Sequence, residues 1–575
     1  MSRDKILSNS DVAEILYRMA VLSQFVGENA FVTRAYQKAA RNIENLDSDI
    51  RQVAVNGRLR TIPGVGRAIA GTITEILKTG TCERYEEMKS VVPADIFRML
   101  GVSGIGPKTV RLVHENLGIT TLDELEKAAI GHRLQKLPGM GAKQEKKILR
   151  AIRRSKGIDR RIPLGVATPI AEYVVEYLKK FPHAENVTVT GSLRRHRDTV
   201  GDIDLIASSN DPESVIAVFT TMPGVADVIG SGTTKASVIL RGIQIDLRIV
   251  DRSSFGSLLQ HFTGSKEHNV RLRELAIGKG IALSEYGIRD QTTGTLLPCG
   301  TEEEVYQRLG LPFIVPELRE DRGEIEAAIA GTLPDLVTLA DIRGDLHLHS
   351  TWSDGANTIS ELADAAIGRG YEYICVTDHS RARGVAGGLN EEALIERMGE
   401  IERINESLDG FTVLAGSEVD IRADGTMDYD DYVLEMLDIV IAAVHSGFSQ
   451  DNRTMTSRIV RAIENEHVDI LAHPTGRLIG ERAGYEVDID RVIAVAAETK
   501  TAIEINASQS RLDLNDINAR KASKSGVMLA IGTDAHTLDH LRYMESGVHL
   551  ARRAWLEPRD LLNTKSVEDI LRWVG

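Results

Sequence analysis

From residue 341 onward, short aliphatic and β-branched runs alternate with helical patterns, and most runs stop at a histidine or a carboxylate. Asp345-Leu346-His347-Leu348-His349 puts two imidazoles two residues apart at a strand end, so period-two alternation aims both the same way. Asp354 follows in a Ser-Asp-Gly turn. Residues 373–377 run into Asp378-His379, 413–414 towards Glu418, 439–444 into His445, 470–471 towards His473-Pro474, and 528–531 towards Thr533-Asp534-Ala535-His536. Strands alternating with helices, with polar residues at successive C-terminal ends, build a β/α barrel with its site at one mouth. One strand-end histidine is ordinary. Six of them (His347, His349, His379, His445, His473, His536) with Asp354, Glu418 and Asp534 make a metal-ligand set, enough for three ions with water positions left open.

A second constellation lies upstream. The β-branched run 187–190 reads as a short buried strand ending at Gly191-Ser192, where glycine lets backbone N–H and hydroxyl approach a phosphate. Asp202 and Asp204 then fall on one face of a second strand, and Asp246 on the polar face of a third, 243–250. Gly-Ser and Asp-x-Asp alone are common turn and surface residues. Three carboxylates converging beside a phosphate cradle are what two-metal phosphoryl transfer requires.

The front of the chain is helical, with apolar spacing at Val12, Ile15, Leu16, Met19, Leu22 and Phe25 and a basic helix after it. Three Gly-x-Gly turns recur there: Gly64-Val65-Gly66, Gly104-Ile105-Gly106 and Gly139-Met140-Gly141. A single one is usually a tight turn. Three, each opening a helix and two of them followed by lysines (Lys108, Lys143, Lys146, Lys147), form a helix-hairpin-helix repeat that offers N–H groups to DNA phosphates. Net charge, −14 overall, is divided accordingly: residues 1–161 hold 28 Lys+Arg against 18 Asp+Glu, so the rest carries −24. Three scattered cysteines (Cys82, Cys299, Cys375) make no disulfide framework, and no apolar run approaches a membrane span, so a cytoplasmic protein is expected.

The palm stretch resembles the bacterial family X DNA polymerases, relatives of DNA polymerase beta within the nucleotidyltransferase superfamily. The resemblance implies a triphosphate site at Gly191-Ser192, catalytic aspartates Asp202, Asp204 and Asp246 holding Mg2+, and a phosphate-binding Arg195. It implies a thumb starting at 261–265, with Phe262 and Gly264 at the incoming nucleotide, Asn269 at the base edge and Arg273 on the template. His261 departs from the tyrosine common in animal relatives, which leaves ribonucleotide discrimination open. The barrel resembles the polymerase-and-histidinol-phosphatase (PHP) domain, which implies three ions of Mn2+, Zn2+ or Fe and phosphoester hydrolysis. A second departure is chemical. Aligned on Gly64-Val65-Gly66, the lysine that forms a Schiff base in DNA polymerase beta is Thr72 here, and its neighbouring DNA-contacting lysine is Ala68.

The expected fold is multidomain, α and α/β: helix-hairpin-helix domains at 1–88 and 89–161, a nucleotidyltransferase palm with a mixed sheet at 162–259, thumb and linker at 260–339, and a distorted β/α barrel at 340–575. The function read from it is a gap-filling DNA polymerase with a 3′→5′ exonuclease or phosphoesterase, extending to abasic-site cleavage. Expected partners are gapped or primed DNA and dNTPs, with no membrane, and a monomer. Nucleotide transfer to a non-DNA acceptor and a DNA-binding scaffold with silent sites are the alternatives.

Overall fold

The spacing at Val12, Leu16, Met19 and Leu22 folds as helix Asn9–Phe25, with all four side chains withdrawn from solvent. The computed structural model describes residues 7, 9–44, 46, 49–92, 95–100, 105–141, 144–145, 148–149, 152, 161–284, 287–290, 293 and 295–575. They fall into two units, Met1–Arg160 and Arg161–Gly575.

In the first unit the chain turns at Gly27, where φ is +82°, and continues as the basic helix Ala30–Glu44. Helix Arg67–Thr79 starts at Gly66 and Pro107–Leu117 starts at Gly106. The middle residue of each Gly-x-Gly (Val65, Ile105, Met140) is buried and anchors its turn in the helical core. Glu145 is buried behind the third turn, accepting from Gln135 N at 3.0 Å and lying 2.8 Å from His132 Nδ1. Gly104, Lys143, Lys146 and Lys147 lie outside the described residues. The expected boundary at 88/89 falls inside helix Glu83–Ser90.

The second unit opens with a five-stranded sheet: β1 (Glu185–Val189), β2 (Ile203–Ser208), β3 (Val225–Ser231), β4 (Lys235–Leu240) and β5 (Ile243–Val250), in the order β1-β2-β5-β4-β3. Only β2 and β5 pair in parallel, so the sheet is mixed. Strict alternation in β5 buries Ile243, Ile245, Leu247 and Ile249 and turns Gln244, Asp246 and Arg248 to the other face. Helices Leu164–Lys179 and Pro212–Thr220 bring apolar residues into the same core.

Helix Phe255–Thr263 crosses the expected palm–thumb boundary at 259/260. The thumb continues through helix Lys266–Gly278 and three short antiparallel strands, 281–284, 287–290 and 296–297. At its centre Glu302 lies between two guanidiniums, 2.6 Å from the fully buried Arg319 and 2.6 Å from Arg194. The His268 ring, also buried, spans Glu324 at 2.7 Å and the Tyr306 hydroxyl at 2.9 Å.

Seven parallel strands follow in sequence order: β6 (Gly344–Leu348), β7 (Tyr373–Val376), β8 (Thr412–Asp420), β9 (Ile439–Ala443), β10 (Ile470–Leu471), β11 (Ala502–Asn506) and β12 (Leu529–Gly532). The barrel nearly closes, because His349 N donates to Ala535 O and Asp534 N to His347 O, both at 2.9 Å. Among the described residues, no helix is long and apolar enough to cross a membrane.

Removing one partner of a buried ion pair strands the other charge, at a cost of about 3–5 kcal/mol. Glu302→Ala is therefore expected to lower thumb stability by about that much in denaturant unfolding, since Arg319 is left buried without its carboxylate. A change below about 1 kcal/mol would show that solvent reaches Arg319.

Candidate active sites

The parallel register of β2 and β5 sets Asp204 directly beside Asp246, and Asp202 precedes β2 on the same face. One oxygen from each of the three lies within 4.8 Å of the others. β1 ends against them: Thr190 N donates to Asp204 O at 2.8 Å, and Gly191 turns with φ +64°. A Cβ at Gly191 would stand 2.4 Å from Asp204 Oδ2, so any other residue would displace that carboxylate. The turn Gly191–Arg194 thus brings Ser192 and its N–H groups to the edge of the triad. Burial pushes the Asp204 carboxyl up to about 7, helped by Asp202 and Asp246, and burial with Asp246 raises Asp202. Gln244 Nε2 donates to Asp246 Oδ1 at 3.0 Å. Like charges packed this closely favour a divalent cation, and the donor set is all hard oxygen.

The other expected nucleotide residues divide. Arg195 donates from Nη1 to Thr263 O at 2.6 Å and from Nε to Glu320 Oε1 at 3.0 Å. Gly264, with φ +71°, lets Arg195 pass; a Cβ there would meet Nη1 at 3.1 Å. The Phe262 ring packs under the Arg248 guanidinium at 4.4 Å, on the carboxylate side of β5. Asn269 is turned inward: Nδ2 donates to His261 O at 2.7 Å, and Oδ1 accepts from Gln260 Nε2 at 2.8 Å. Arg273 is exposed on the thumb helix.

In the barrel all nine expected ligands meet at one mouth, centred on the buried Glu418. Its Oε1 lies 2.9 Å from His473 Nε2 and 3.1 Å from His445 Nε2. Its Oε2 lies 2.9 Å from His379 Nδ1 and 3.6 Å from both His347 Nε2 and His349 Nε2. Three overlapping clusters result: His347, His349 and Asp534; His379, Glu418 and His445; and His349, Asp354, His379 and His536. Burial pushes the Glu418 carboxyl up, yet His445, His379 and His347 outweigh it and hold it well below the usual range. Burial lowers His349 and His473 to about 4, which keeps these imidazoles neutral. At His347, His379, His445 and His536 burial is outweighed by neighbouring carboxylates that raise them, so a bound cation would displace their protons. Among the described residues the buried Nδ1 atoms of His349 and His473 have no hydrogen-bond partner. These residues fit transition-metal cations.

Four family patterns match the chain: a helix-hairpin-helix domain over 7–82, a SAM-like helix-hairpin-helix tandem over 97–154, the DNA polymerase beta thumb over 258–320 and the PHP domain over 345–508. The DNA polymerase/3′-5′ exonuclease PolX of Bacillus subtilis (strain 168) is 40% identical over 567 residues, 98% of this chain and 99% of that protein. The chain belongs to the family X DNA polymerases that carry a C-terminal PHP domain. DNA polymerase lambda of Rattus norvegicus is 26% identical over 318 residues, 49% of this chain and 52% of that protein. A probable phosphatase of Thermoanaerobacter sp. (strain X514) is 33% identical over 231 residues, 38% of this chain and 89% of its own length. A family X palm and a PHP barrel depend on divalent cations.

The barrel mouth also brings in residues that sequence spacing did not single out. Glu504, on β11, lies 2.6 Å from His347 Nδ1 and accepts from His473 N at 2.7 Å. Asp420 pairs with His445 Nδ1. Such partners fix which imidazole nitrogen faces the ion. The available signal was a glutamate inside the alternating apolar run Ala502-Ile503-Glu504-Ile505, a place where charge is costly.

The Asp204 shift has a measurable consequence. Its folded pKa, about 7, lies above the unfolded value of about 3.9, so this group favours folding at low pH and its contribution is lost as pH rises through 7. Cation binding needs the carboxylate. Calorimetric titration with Mg2+ in buffers of different ionisation enthalpy is expected to show, at pH 6, close to one proton released that disappears in Asp204→Asn, and far less above pH 8. Equal release at both values would refute the shift.

Proposed function

We propose that this chain is a DNA-directed DNA polymerase acting on gapped or primed DNA in repair, joined to a 3′→5′ exonuclease. The observation that carries the reading is one unit holding both an all-carboxylate triad against Gly191 and a nine-ligand imidazole-rich barrel mouth. Family membership supports it.

In the palm, Asp202, Asp204 and Asp246 would hold two Mg2+, which supply electrostatic stabilisation of the in-line displacement. Asp246, oriented by Gln244, takes the proton of the primer 3′-hydroxyl. Gly191 and Ser192 bind the triphosphate, and Arg195 neutralises it after exchanging Glu320 for phosphate oxygens. Phe262 and Gly264 flank the incoming sugar, Asn269 meets the base edge once its amide leaves His261 O, and Arg273 contacts the template. In the barrel, His347, His349, Asp354, His379, Glu418, His445, His473, Asp534 and His536 would hold Mn2+ or Zn2+, up to three ions, which supply activated water for phosphodiester hydrolysis. Glu504 and Asp420 keep His347 and His445 in the ligating orientation. Abasic-site cleavage and 3′-phosphate removal draw on the same chemistry. The exposed glycines Gly64, Gly66, Gly139 and Gly141, with Gly106 at its helix start, present N–H groups to the DNA backbone.

Separate sites make the activities separable. Asp202→Ala is expected to abolish primer extension on a gapped duplex and leave degradation near wild type, and His347→Ala to do the reverse. In metal-stripped protein Mg2+ alone should restore extension, while degradation should need Mn2+ or another transition metal. Loss of both activities in either folded variant would contradict the two-site reading.

The lyase of DNA polymerase beta has no nucleophile here. Thr72 sits half-buried on helix Arg67–Thr79, its hydroxyl donating back to Ala68 O at 3.3 Å, and a hydroxyl forms no imine. Lys38 instead packs its stem under Gly64. Borohydride trapping on a 5′-deoxyribose-phosphate duplex is expected to give no covalent adduct at a lyase-like rate. An adduct that vanished in Lys38→Ala or Lys78→Ala would reverse this conclusion.

A further inference from the structure

We infer that a cavity of about 200 Å3, between the palm loop after Arg195, the end of the thumb and the barrel, is a binding site for a free phosphate-class anion. Neither the palm aspartates nor the nine barrel ligands line it. Its walls carry Arg197, Arg322, Arg477 and Arg553 against Asp198 and Asp516.

The charges do not balance. Arg477 pairs with Asp198 at 3.1 Å, and Asp516 is shared by Arg322 at 2.9 Å and Arg553 at 2.7 Å. Glu320 is shared by Arg553 and Arg195, each at 3.0 Å, and by Arg197 at 3.5 Å. Five guanidiniums thus answer to three carboxylates, an excess of two positive charges. Three of the four lining arginines sit largely away from water, with side-chain exposure of 4% at Arg553, 14% at Arg322 and 19% at Arg477, and Arg197 stands at the mouth. Buried charge without a counter-charge is costly, and planar guanidinium forks match phosphate oxygens. Hydrogen phosphate, a dianion, cancels the excess, and diphosphate, more highly charged, more than cancels it. The N-terminus of helix Asp516–Lys524, capped by Asn515, opens onto the same space. The volume equals about six or seven waters at ~30 Å3 each, room for phosphate or diphosphate.

His196 of the wall belongs to a rival ligand set with His549 and Glu317 beside the cavity. His196 stacks on His549 with ring centroids 3.3 Å apart, and Glu317 Oε1 lies 3.1 Å from His549 Nδ1. That oxygen already accepts from Arg552 Nε at 2.7 Å, and Arg553 adds its charge beside His196. A metal cation would enter a place that is already cationic. The anion is favoured, and it would pin palm (Arg197), thumb end (Arg322) and barrel (Arg477, Arg553) together.

The test uses full-length protein stripped of divalent metal, so that no resident cation captures phosphate. Calorimetric titration with inorganic pyrophosphate is expected to show one saturable equivalent and a raised unfolding midpoint. Arg197→Gln changes a side chain one-third exposed and held only at 3.5 Å, so the fold should persist while affinity falls at least tenfold. Arg322→Gln should weaken binding comparably. Inorganic phosphate should bind and a nucleoside 5′-monophosphate should not; equal binding of the nucleotide would overturn the free anion as occupant. Absence of saturable binding, or unchanged affinity in Arg197→Gln, overturns the site. So does a zinc equivalent taken up in place of pyrophosphate and lost in His549→Ala, which would make the cluster a cation site.

Discussion

Mutual repulsion among carboxylates, and the cost of burying imidazoles without partners, is the constraint both chemical centres must meet. Nothing in Asp202, Asp204 and Asp246 draws them together; the β2–β5 pairing does, driven by the apolar face of the same strands. Ile203, Leu205, Ile245 and Leu247 go to the core on one side, so the aspartates are forced onto the other at neighbouring positions. The barrel solves the same problem by parallel order. Each strand ends at the same rim, and the ring of imidazoles then surrounds one carboxylate, Glu418, instead of facing other cations.

Buried charge recurs wherever segments of the second unit meet. Arg319–Glu302 holds the thumb, Arg397 lies 3.2 Å from Asp378 behind the barrel rim, and Arg553 joins Asp516 to Glu320. Such pairs add little net stability over an apolar core, but they tolerate no loss of a partner and so define one arrangement. The arginine-rich cavity belongs to this pattern, with five guanidiniums sharing three carboxylates.

Arg195 shows how chemistry and architecture meet. The residue expected at the triphosphate is held by Thr263 O and Glu320, and Glu320 is held in turn by Arg553 from the barrel. Among these groups burial opposes ionisation of Glu320, yet Arg553 and Arg195 hold its carboxyl at about 2, so the pair stays charged at any pH where the enzyme works. A polymerase residue and a barrel residue therefore compete for one carboxylate.

Read from the sequence alone, the two sets of candidate ligands, the Gly-x-Gly turns at 64–66 and 139–141 and the parallel barrel were legible, because each rests on local period: two in strands, 3.6 in helices, and glycine where a turn needs positive φ. The barrel expectation lacked β11, whose glutamate broke the apolar run, and with it Glu504, which holds His347 across 157 residues. The domain boundaries at 88/89 and 259/260 fell inside helices because a continuous helical pattern carries no mark of where one core ends. Glu302 between Arg319 and Arg194, Asp420 behind His445, and the five arginines around Asp198, Glu320 and Asp516 follow no spacing at all. The chain by itself determined which residues could bind a cation or a phosphate. Only the folded structure decided which of them share a site and which are already spent on one another, since that depends on contacts between segments far apart in sequence.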